Sequence, residues 1–260
     1  MGGVVRGLLR PLVPPLFLDL WRRARRKRVS SRDVAGLGGH AADFVLPVQT
    51  LEETFPGISV VQATVSAVEL DRMDEWELPL AELLTIAVIC GYLRPAKVFE
   101  FGTYRGSTTL AMALNGPDRT EILTLDLEPA LRATHRHGMG VGIPDFPVGL
   151  AFRARPESRR IHQLFGDSRT FDFSPLASSV DLVFIDGDHT FEFASHDTQM
   201  ALRILRPGGT IVWDDYRWGE RHPECAGVTR CVNELSTSRR CAVLKGTRFA
   251  IFRDDAKVRS

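Results

Sequence analysis

The segment VDLVFID, residues 180–186, is apolar at successive positions instead of at every second one. This pattern is typical of a strand that is covered on both faces, which in α/β proteins is a parallel strand inside a sheet. The strand runs directly into Asp186, Asp188 and His189. Ligands of open α/β sheets bind beyond the carboxyl ends of such strands, so these polar groups lie where a ligand-binding or catalytic site is expected.

The rest of the chain alternates between predicted strands and helices. Strands are predicted at 97–102, 122–127, 160–165 and 210–214, and helices at 79–92, 106–114, 190–205 and 227–235. The ending CAVLKGTRFAIFRDD predicts a hairpin that turns near Lys245 and Gly246. We therefore expect an α/β fold, a doubly wound seven-stranded Rossmann-like sheet that is mostly parallel, with an antiparallel last strand and an N-terminal helical extension.

Charge divides the chain into segments. The first thirty residues hold eight basic residues and one acidic residue, whereas the whole chain of 260 residues has a formal net charge of +1. We assign residues 1–30 to a basic amphipathic extension, 31–77 to a connecting segment and 78–255 to the main domain. Residues 16–28 have one apolar helical face, which suits an anionic membrane surface, a partner or the domain itself; a transit peptide is a lesser alternative.

Composition excludes several classes. The acidic body argues against a nucleic-acid surface. The four cysteines have no metal-ligand or disulfide spacing, and no apolar run has the length of a membrane span, so we expect a protein of the reducing cytoplasm, with contact at the inner membrane face through residues 1–28 as an option. Self-association stays open.

The motif VFEFGTYRGSTT, residues 98–109, combines a buried strand, a glycine turn and the start of a helix. Gly102 and Gly106 allow close approach of a ligand, and the N–H groups of the new helix suit an anion. The GxGxxG spacing of dinucleotide-binding proteins is absent.

Two acidic positions follow the next strands. Asp126 ends the strand in ILTLDLEP, where a carboxylate accepts both hydroxyls of a ribose, although a simple cap is the alternative. Asp167 and Ser168, in LFGDSRTF, either bind the edge of an adenine ring or form a turn.

The motif GTIVWDDYRW ends a further buried strand in Asp214 and Asp215. Adjacent carboxylates repel each other unless a positive group neutralises them. Because neighbouring strand ends bring Asp186 close to this pair, the three carboxylates suit a divalent cation such as Mg²⁺, Mn²⁺ or Ca²⁺. A helix cap and a turn are the alternative explanation for the pair.

Together these motifs resemble the class I S-adenosylmethionine-dependent methyltransferases, over residues 78–253. The likeness is to the metal-dependent O-methyltransferase branch, which includes catechol O-methyltransferase and the antibiotic-tailoring and sugar-tailoring enzymes. The resemblance implies S-adenosylmethionine as cofactor and Mg²⁺ as the divalent cation. It places the following residues at the cofactor: Glu100, Gly102, Thr103, Tyr104, Gly106, Thr108, Asp126, Asp167, Ser168 and Asp186. It also implies that Asp186, Asp214 and Asp215 are metal ligands and that His189 is the general base.

The expected function is therefore methyl transfer to a hydroxyl of a sugar, a glycolipid or a polyketide-like small molecule. Two other classes stay open, an NAD(P)-dependent Rossmann oxidoreductase and a cofactor-binding scaffold without turnover.

Overall fold

The computed structural model describes residues 44–66, 77–132, 147–217 and 222–254. All of them belong to the compact unit that spans residues 41–260. The basic segment 1–30, with its predicted amphipathic helix, lies outside the described residues. Within the described residues, no helix combines the length and the apolar character that a membrane crossing requires.

The centre of the fold is one eight-stranded sheet. Its strands are β1 (Val48–Gln49), β2 (Lys97–Phe101), β3 (Glu121–Asp126), β4 (Ile161–Phe165), β5 (Val180–Ile185), β6 (Leu205–Trp213), β7 (Cys241–Leu244) and β8 (Ala250–Arg253). The spatial order is β1-β7-β8-β6-β5-β2-β3-β4, and β8 runs antiparallel to both β6 and β7 while the other pairs are parallel. The seven predicted strands are β2 to β8, which confirms the predicted fold; β1 is an unpredicted two-residue addition at the edge.

Helices cover both faces of this sheet. They are α1 (Leu51–Thr54), α2 (Leu80–Leu93), α3 (Ser107–Asn115), α4 (Pro129–Arg132), α5 (Phe191–Ile204) and α6 (Ala226–Ser236). Apolar side chains of α5 and α6 pack on one face, and those of α2 and α3 pack on the other. This explains the apolar run of β5, whose six residues are all buried between β2 and β6.

One predicted boundary is wrong. The sequence predicts that this strand begins at residue 210, but β6 already begins at Leu205 and includes the stretch RPGG, residues 206–209. Leu205 pairs with Val180, and the register shifts before Thr210 pairs with Leu182. The glycines and the proline thus lie in an irregular first part of the strand, which periodicity alone does not reveal.

The parallel strands bring the candidate residues to one edge of the sheet. Gly102 follows β2, Asp126 ends β3, Asp186 follows β5 and Asp214 follows β6. Because β3, β2, β5 and β6 are consecutive neighbours in the sheet, these four positions form one row at the carboxyl ends of the strands.

Candidate functional site

The glycine turn between β2 and α3 packs tightly against neighbouring residues. Gly102 has φ +88°, and a Cβ atom there would lie 2.0 Å from the carbonyl oxygen of Asp186. Gly106 has φ +86°, and its Cβ would lie 2.6 Å from the ring of Phe152. Both positions therefore need glycine for their conformation and for space. Phe152, from the irregular segment before β4, is a contributor that the motif itself did not predict.

Asp126 is buried beside this turn. Its Oδ2 atom accepts hydrogen bonds from the backbone N–H groups of Thr103, at 3.1 Å, and Tyr104, at 2.8 Å. The buried guanidinium of Arg132 lies against the same carboxylate, with Nε donating to Oδ1 at 3.3 Å and Nη2 donating to Oδ2 at 3.2 Å. Two backbone N–H groups and one guanidinium thus hold the carboxylate in place next to the glycine turn, as a ribose-binding group requires.

Glu100 lies beneath the turn and is fully buried. The hydroxyls of Thr109 and Thr124 donate to its Oε2 atom, the second at 2.6 Å. Burial raises the pKa of Glu100 to about 8. Its Oε1 atom has no hydrogen-bond partner among the described residues. The side chain therefore supports the turn from inside the fold.

Three other predicted cofactor residues lie in α3 and after β4. Thr108 is buried in the first turn of α3. Asp167 pairs with exposed Arg169 at 2.7 Å and closes a turn after β4, while the Ser168 hydroxyl bonds to the side chain of Asp197 in α5. Strand β4 is the sheet edge, so these two residues lie beyond Asp126 in the row of strand ends.

Four carboxyl groups form what we call the acidic cluster, Glu82, Asp186, Asp214 and Asp215. Its centre is Arg248, from the loop between β7 and β8. The guanidinium contacts Glu82 at 2.8 Å, Asp214 at 3.0 Å and Asp215 at 3.3 Å. Arg217 adds a second guanidinium, whose Nε donates to Asp215 at 2.6 Å. The positive groups that the adjacent carboxylates require are therefore supplied in part by the chain itself.

The acidic cluster nevertheless contains four carboxyl groups against two guanidiniums. Burial, followed by repulsion from Asp215, raises the pKa of Asp186 to about 7. The same two causes raise the pKa of Asp214, and burial raises that of Glu82. Burial opposes ionisation of Asp215 too, but His189, Arg248 and Arg217 outweigh it and lower its pKa. The Oδ1 atom of Asp214 is buried and has no hydrogen-bond partner among the described residues.

His189 approaches this cluster from the loop between β5 and α5. Its Nε2 atom lies 3.2 Å from Oδ2 of Asp215, whose backbone has φ +58°. Among the described residues, His189, Asp215 and Cys225 each offer a ligand atom, and these atoms lie within 4.8 Å of one another. Of the three predicted metal ligands, only Asp215 belongs to this group. Asp188 accepts a hydrogen bond from the backbone of Thr190, which caps α5.

Sequence reasoning missed Arg248, Glu82 and Arg132. The adjacent carboxylates of WDDY signalled that a positive partner must exist, but not which one, because Arg248 is separated from them by a helix and a strand. Trp213 and Tyr216, which flank the adjacent carboxylates, are both fully buried, and the Tyr216 hydroxyl lies 2.6 Å from Asn233.

Comparison with known proteins shows which families this chain is similar to. Residues 99–216 match a family model described as a methyltransferase domain. A caffeoyl-CoA O-methyltransferase of Stellaria longipes is 29% identical over 146 residues, 54% of this chain and 54% of that protein. Caffeoyl-CoA O-methyltransferase 2 of Zea mays is 29% identical over 127 residues, 47% of this chain and 42% of that protein. The chain thus spans about half the length of these curated relatives.

Solved structures share the fold at low identity. An O-methyltransferase from Bacillus cereus in complex with SAH has a TM-score of 0.52 and 16% identity, over 71% of this chain and 85% of that one. The O-methyltransferase TomG from Streptomyces achromogenes, in complex with SAM, has a TM-score of 0.53 and 15% identity, over 79% of this chain and 98% of that one.

Residues 99–216 are therefore similar to a methyltransferase domain, and the sheet has the fold of the solved O-methyltransferases.

Proposed function

We propose that this chain transfers a methyl group from S-adenosylmethionine to a hydroxyl of a small molecule, of the sugar, glycolipid or polyketide-like kind. The observation that carries the proposal is the row of strand ends, where the glycine turn and Asp126 stand beside an acidic cluster and His189. A cofactor site and a hydroxyl-activating site thus adjoin at one edge of the sheet.

In this proposal, the cofactor lies along the ends of β2, β3 and β4. The turn that contains Gly102, Thr103, Tyr104 and Gly106 approaches its methionine part, and Thr108 lies in the first turn of α3 near its carboxylate. Asp126 accepts the ribose hydroxyls, and Arg132 holds the carboxylate in place. Asp167 and Ser168 stand at the adenine end, Asp186 at the opposite end, and Glu100 supports the turn from below.

The acidic cluster fits a divalent cation. Four carboxyl groups share the guanidiniums of Arg248 and Arg217, and burial, followed by repulsion from Asp215, raises the pKa values of Asp186 and Asp214. Hard cations such as Mg²⁺ prefer carboxylate oxygens. Asp186, Asp214 and Asp215 would hold the ion, and its contribution when bound is to lower the pKa of an acceptor hydroxyl and to orient it.

The chain's own residues supply positioning and the proton acceptor. Methyl transfer forms a bond between the acceptor oxygen and the methyl carbon while the carbon–sulfur bond breaks, so the three atoms must lie in line. S-adenosylhomocysteine leaves with the bonding electron pair on sulfur. His189 accepts the hydroxyl proton, and Asp215, 3.2 Å from its Nε2 atom, orients the ring.

The segment boundaries and cellular context are further parts of the proposal. We retain residues 1–30 as a basic extension, 31–77 as a connection and 78–255 as the methyltransferase domain. The positive charge of residues 1–28 supports contact with an anionic membrane face from the cytoplasm. Sedimentation with anionic vesicles, compared between the full chain and a chain that lacks residues 1–28, tests this contact; equal sedimentation of both would contradict it.

The central experiment is a screen of hydroxylated acceptors with methyl-labelled S-adenosylmethionine, with and without Mg²⁺. The panel includes caffeoyl-CoA because of the names of the curated relatives. Methyl transfer that requires Mg²⁺ is the expected result. Full methyl transfer in excess chelator would contradict the proposed metal dependence. The absence of methylated product with all acceptors would count against the proposed reaction.

Calorimetry with S-adenosylhomocysteine tests the cofactor site separately. Asp126→Asn should weaken binding by at least about tenfold, since it removes a charged acceptor worth about 1.5–3 kcal/mol. Asp172→Asn is the matched control, because Asp172 is an exposed carboxylate that accepts a hydrogen bond from Ser174 in a turn. Binding of NAD in place of the sulfur nucleotide would favour the oxidoreductase alternative.

A further inference from the structure

Three side chains from separate parts of the chain converge at one end of the acidic cluster. His189 follows β5, Asp215 follows β6 and Cys225 precedes α6. One ligand atom of each lies within 4.8 Å of the other two. Asp215 and Cys225 are buried, and the His189 side chain is 14% exposed, so the group borders on solvent through its imidazole.

Backbone packing holds these side chains together. Gly227, in the first turn of α6, approaches so closely that a Cβ atom there would lie 2.3 Å from the carbonyl oxygen of His189 and 2.4 Å from the amide nitrogen of Phe191. This contact fixes the start of α6, and with it Cys225, against the loop that carries His189. The cysteine is thus placed beside the imidazole by the fold.

The spacing is close to that of a metal site. Zinc binds nitrogen and oxygen at about 2.0–2.2 Å and sulfur at about 2.3 Å, so tetrahedral ligand atoms lie about 3.5 Å apart. The Nε2 atom of His189 and the Oδ2 atom of Asp215 are already 3.2 Å apart. The other ligand atoms lie within 4.8 Å of one another, so they would have to approach by about 1 Å to reach these distances.

Local charge favours a cation at this place. The acidic cluster has four carboxyl groups, whereas Arg248 and Arg217 supply two fixed positive charges. Arg217 and Arg248 both contact the Oδ1 atom of Asp215, whereas Oδ2 faces His189 and is the oxygen suited to a metal.

A nucleophilic role for Cys225 fits the same geometry less well. Activation of a thiol requires a positive or basic neighbour that stabilises the thiolate. Here the thiol is hydrogen-bonded to the carboxylate of Asp215, and burial followed by the charge of Asp215 raises the pKa of Cys225. A bound metal ion removes this obstacle, because coordination itself displaces the thiol proton.

We propose that His189, Asp215 and Cys225 form a binding site for a divalent cation of borderline softness, such as Zn²⁺, with the fourth position open to solvent. The cation displaces the thiol proton to water and is held by one nitrogen, one oxygen and one thiolate sulfur. The mixed donor set distinguishes this site from the all-oxygen set proposed for Mg²⁺. Because the two sites share Asp215 and the cation occupies His189, Zn²⁺ inhibits methyl transfer.

Co²⁺ is the spectroscopic probe for this site, because thiolate coordination produces an intense sulfur-to-cobalt charge-transfer absorption that oxygen ligands do not. Titration of the full chain should produce the band, and Zn²⁺ should remove it while millimolar Mg²⁺ does not. Cys225→Ser should lack the band. Cys231→Ser, which alters a buried cysteine inside α6, should retain it.

Three outcomes would overturn the site: the absence of a band in the full chain, the same band in Cys225→Ser, or displacement of Co²⁺ by Mg²⁺. His189→Ala provides a second variant at a partly exposed side chain, should Cys225→Ser fold poorly. It should weaken Co²⁺ binding at least about tenfold, and unchanged affinity would contradict the proposal.

The inhibitory role alone rests on the proposed function. In Cys225→Ser, the Zn²⁺ concentration that halves methyl transfer should rise at least about tenfold, whereas in Cys231→Ser it should stay at the full-chain value. If the cobalt band is absent but methyl transfer is observed, the metal site is refuted and the proposed function is unaffected. If methyl transfer is absent but the cobalt band is observed, the proposed function is refuted and the metal site is unaffected.

Discussion

Arg248 is the residue whose removal tests the electrostatic description of this site most directly. Its guanidinium makes three contacts with buried carboxyl groups, at 2.8, 3.0 and 3.3 Å, and is itself 21% exposed. Replacement by methionine keeps much of the apolar stem but leaves these carboxyl groups without their shared cation. Breaking a buried ion pair from one side costs about 3–5 kcal/mol, so we expect Arg248→Met to lose that much free energy of unfolding near pH 8.

The loss should depend on pH in a defined direction. Glu82, Asp186 and Asp214 already have raised pKa values in the folded protein. A carboxyl group with a raised folded-state pKa binds protons more tightly when folded, so its contribution to stability falls as pH rises from the unfolded value, near 4, through the folded value. Without Arg248 these pKa values rise further. The difference in stability between the two proteins should therefore grow from pH 5 to pH 8.

Urea unfolding followed by circular dichroism at several pH values measures this difference. Arg230→Met is the matched control, because Arg230 forms an exposed pair with Glu234 within one helix, worth about 0.3–0.5 kcal/mol. Adding Glu82→Gln to Arg248→Met should recover part of the loss, since it removes one unpaired charge. A loss below about 1 kcal/mol at pH 8, or one that does not grow with pH, would refute the assignment of Arg248 as the neutralising cation.

Two further predictions concern the turn and the buried glutamate. Gly102→Ala should lower the free energy of unfolding by about 2–5 kcal/mol, because of the left-handed backbone and the clash with Asp186. Gly246→Ala is the control, with φ +86° and no atom within 4 Å of the added Cβ, and should lower it by about 1–2 kcal/mol. Urea unfolding measures both values, and equal values would contradict the close approach at Gly102. Glu100→Gln should remove a fall in stability between about pH 4.5 and pH 8, because the folded pKa of Glu100 is raised to about 8; an unchanged pH profile of the unfolding midpoint would show that Glu100 is not buried as described.

Much of the architecture follows from local pattern. The apolar runs within β2, β3, β5 and β6 are short, mostly buried and rich in β-branched and aromatic residues, and this combination favours strands. The two-residue β1 is too short to carry a period, and the strand status of residues 205–209 depends on pairing with β5. Local pattern fails in both cases because a partner strand, and not the segment itself, decides the conformation.

The candidate site divides in the same way. The sequence by itself determined that Asp126, Asp186 and Asp214 stand at the ends of buried strands, because strand boundaries and the parallel sheet follow from hydrophobic pattern. It also indicated that adjacent carboxylates require a positive partner. Only the tertiary structure decided that Arg248 and Arg217 are those partners and that Cys225 lies beside His189. Such pairings join residues far apart in the chain, and their energy depends on distances and burial that only the folded chain fixes.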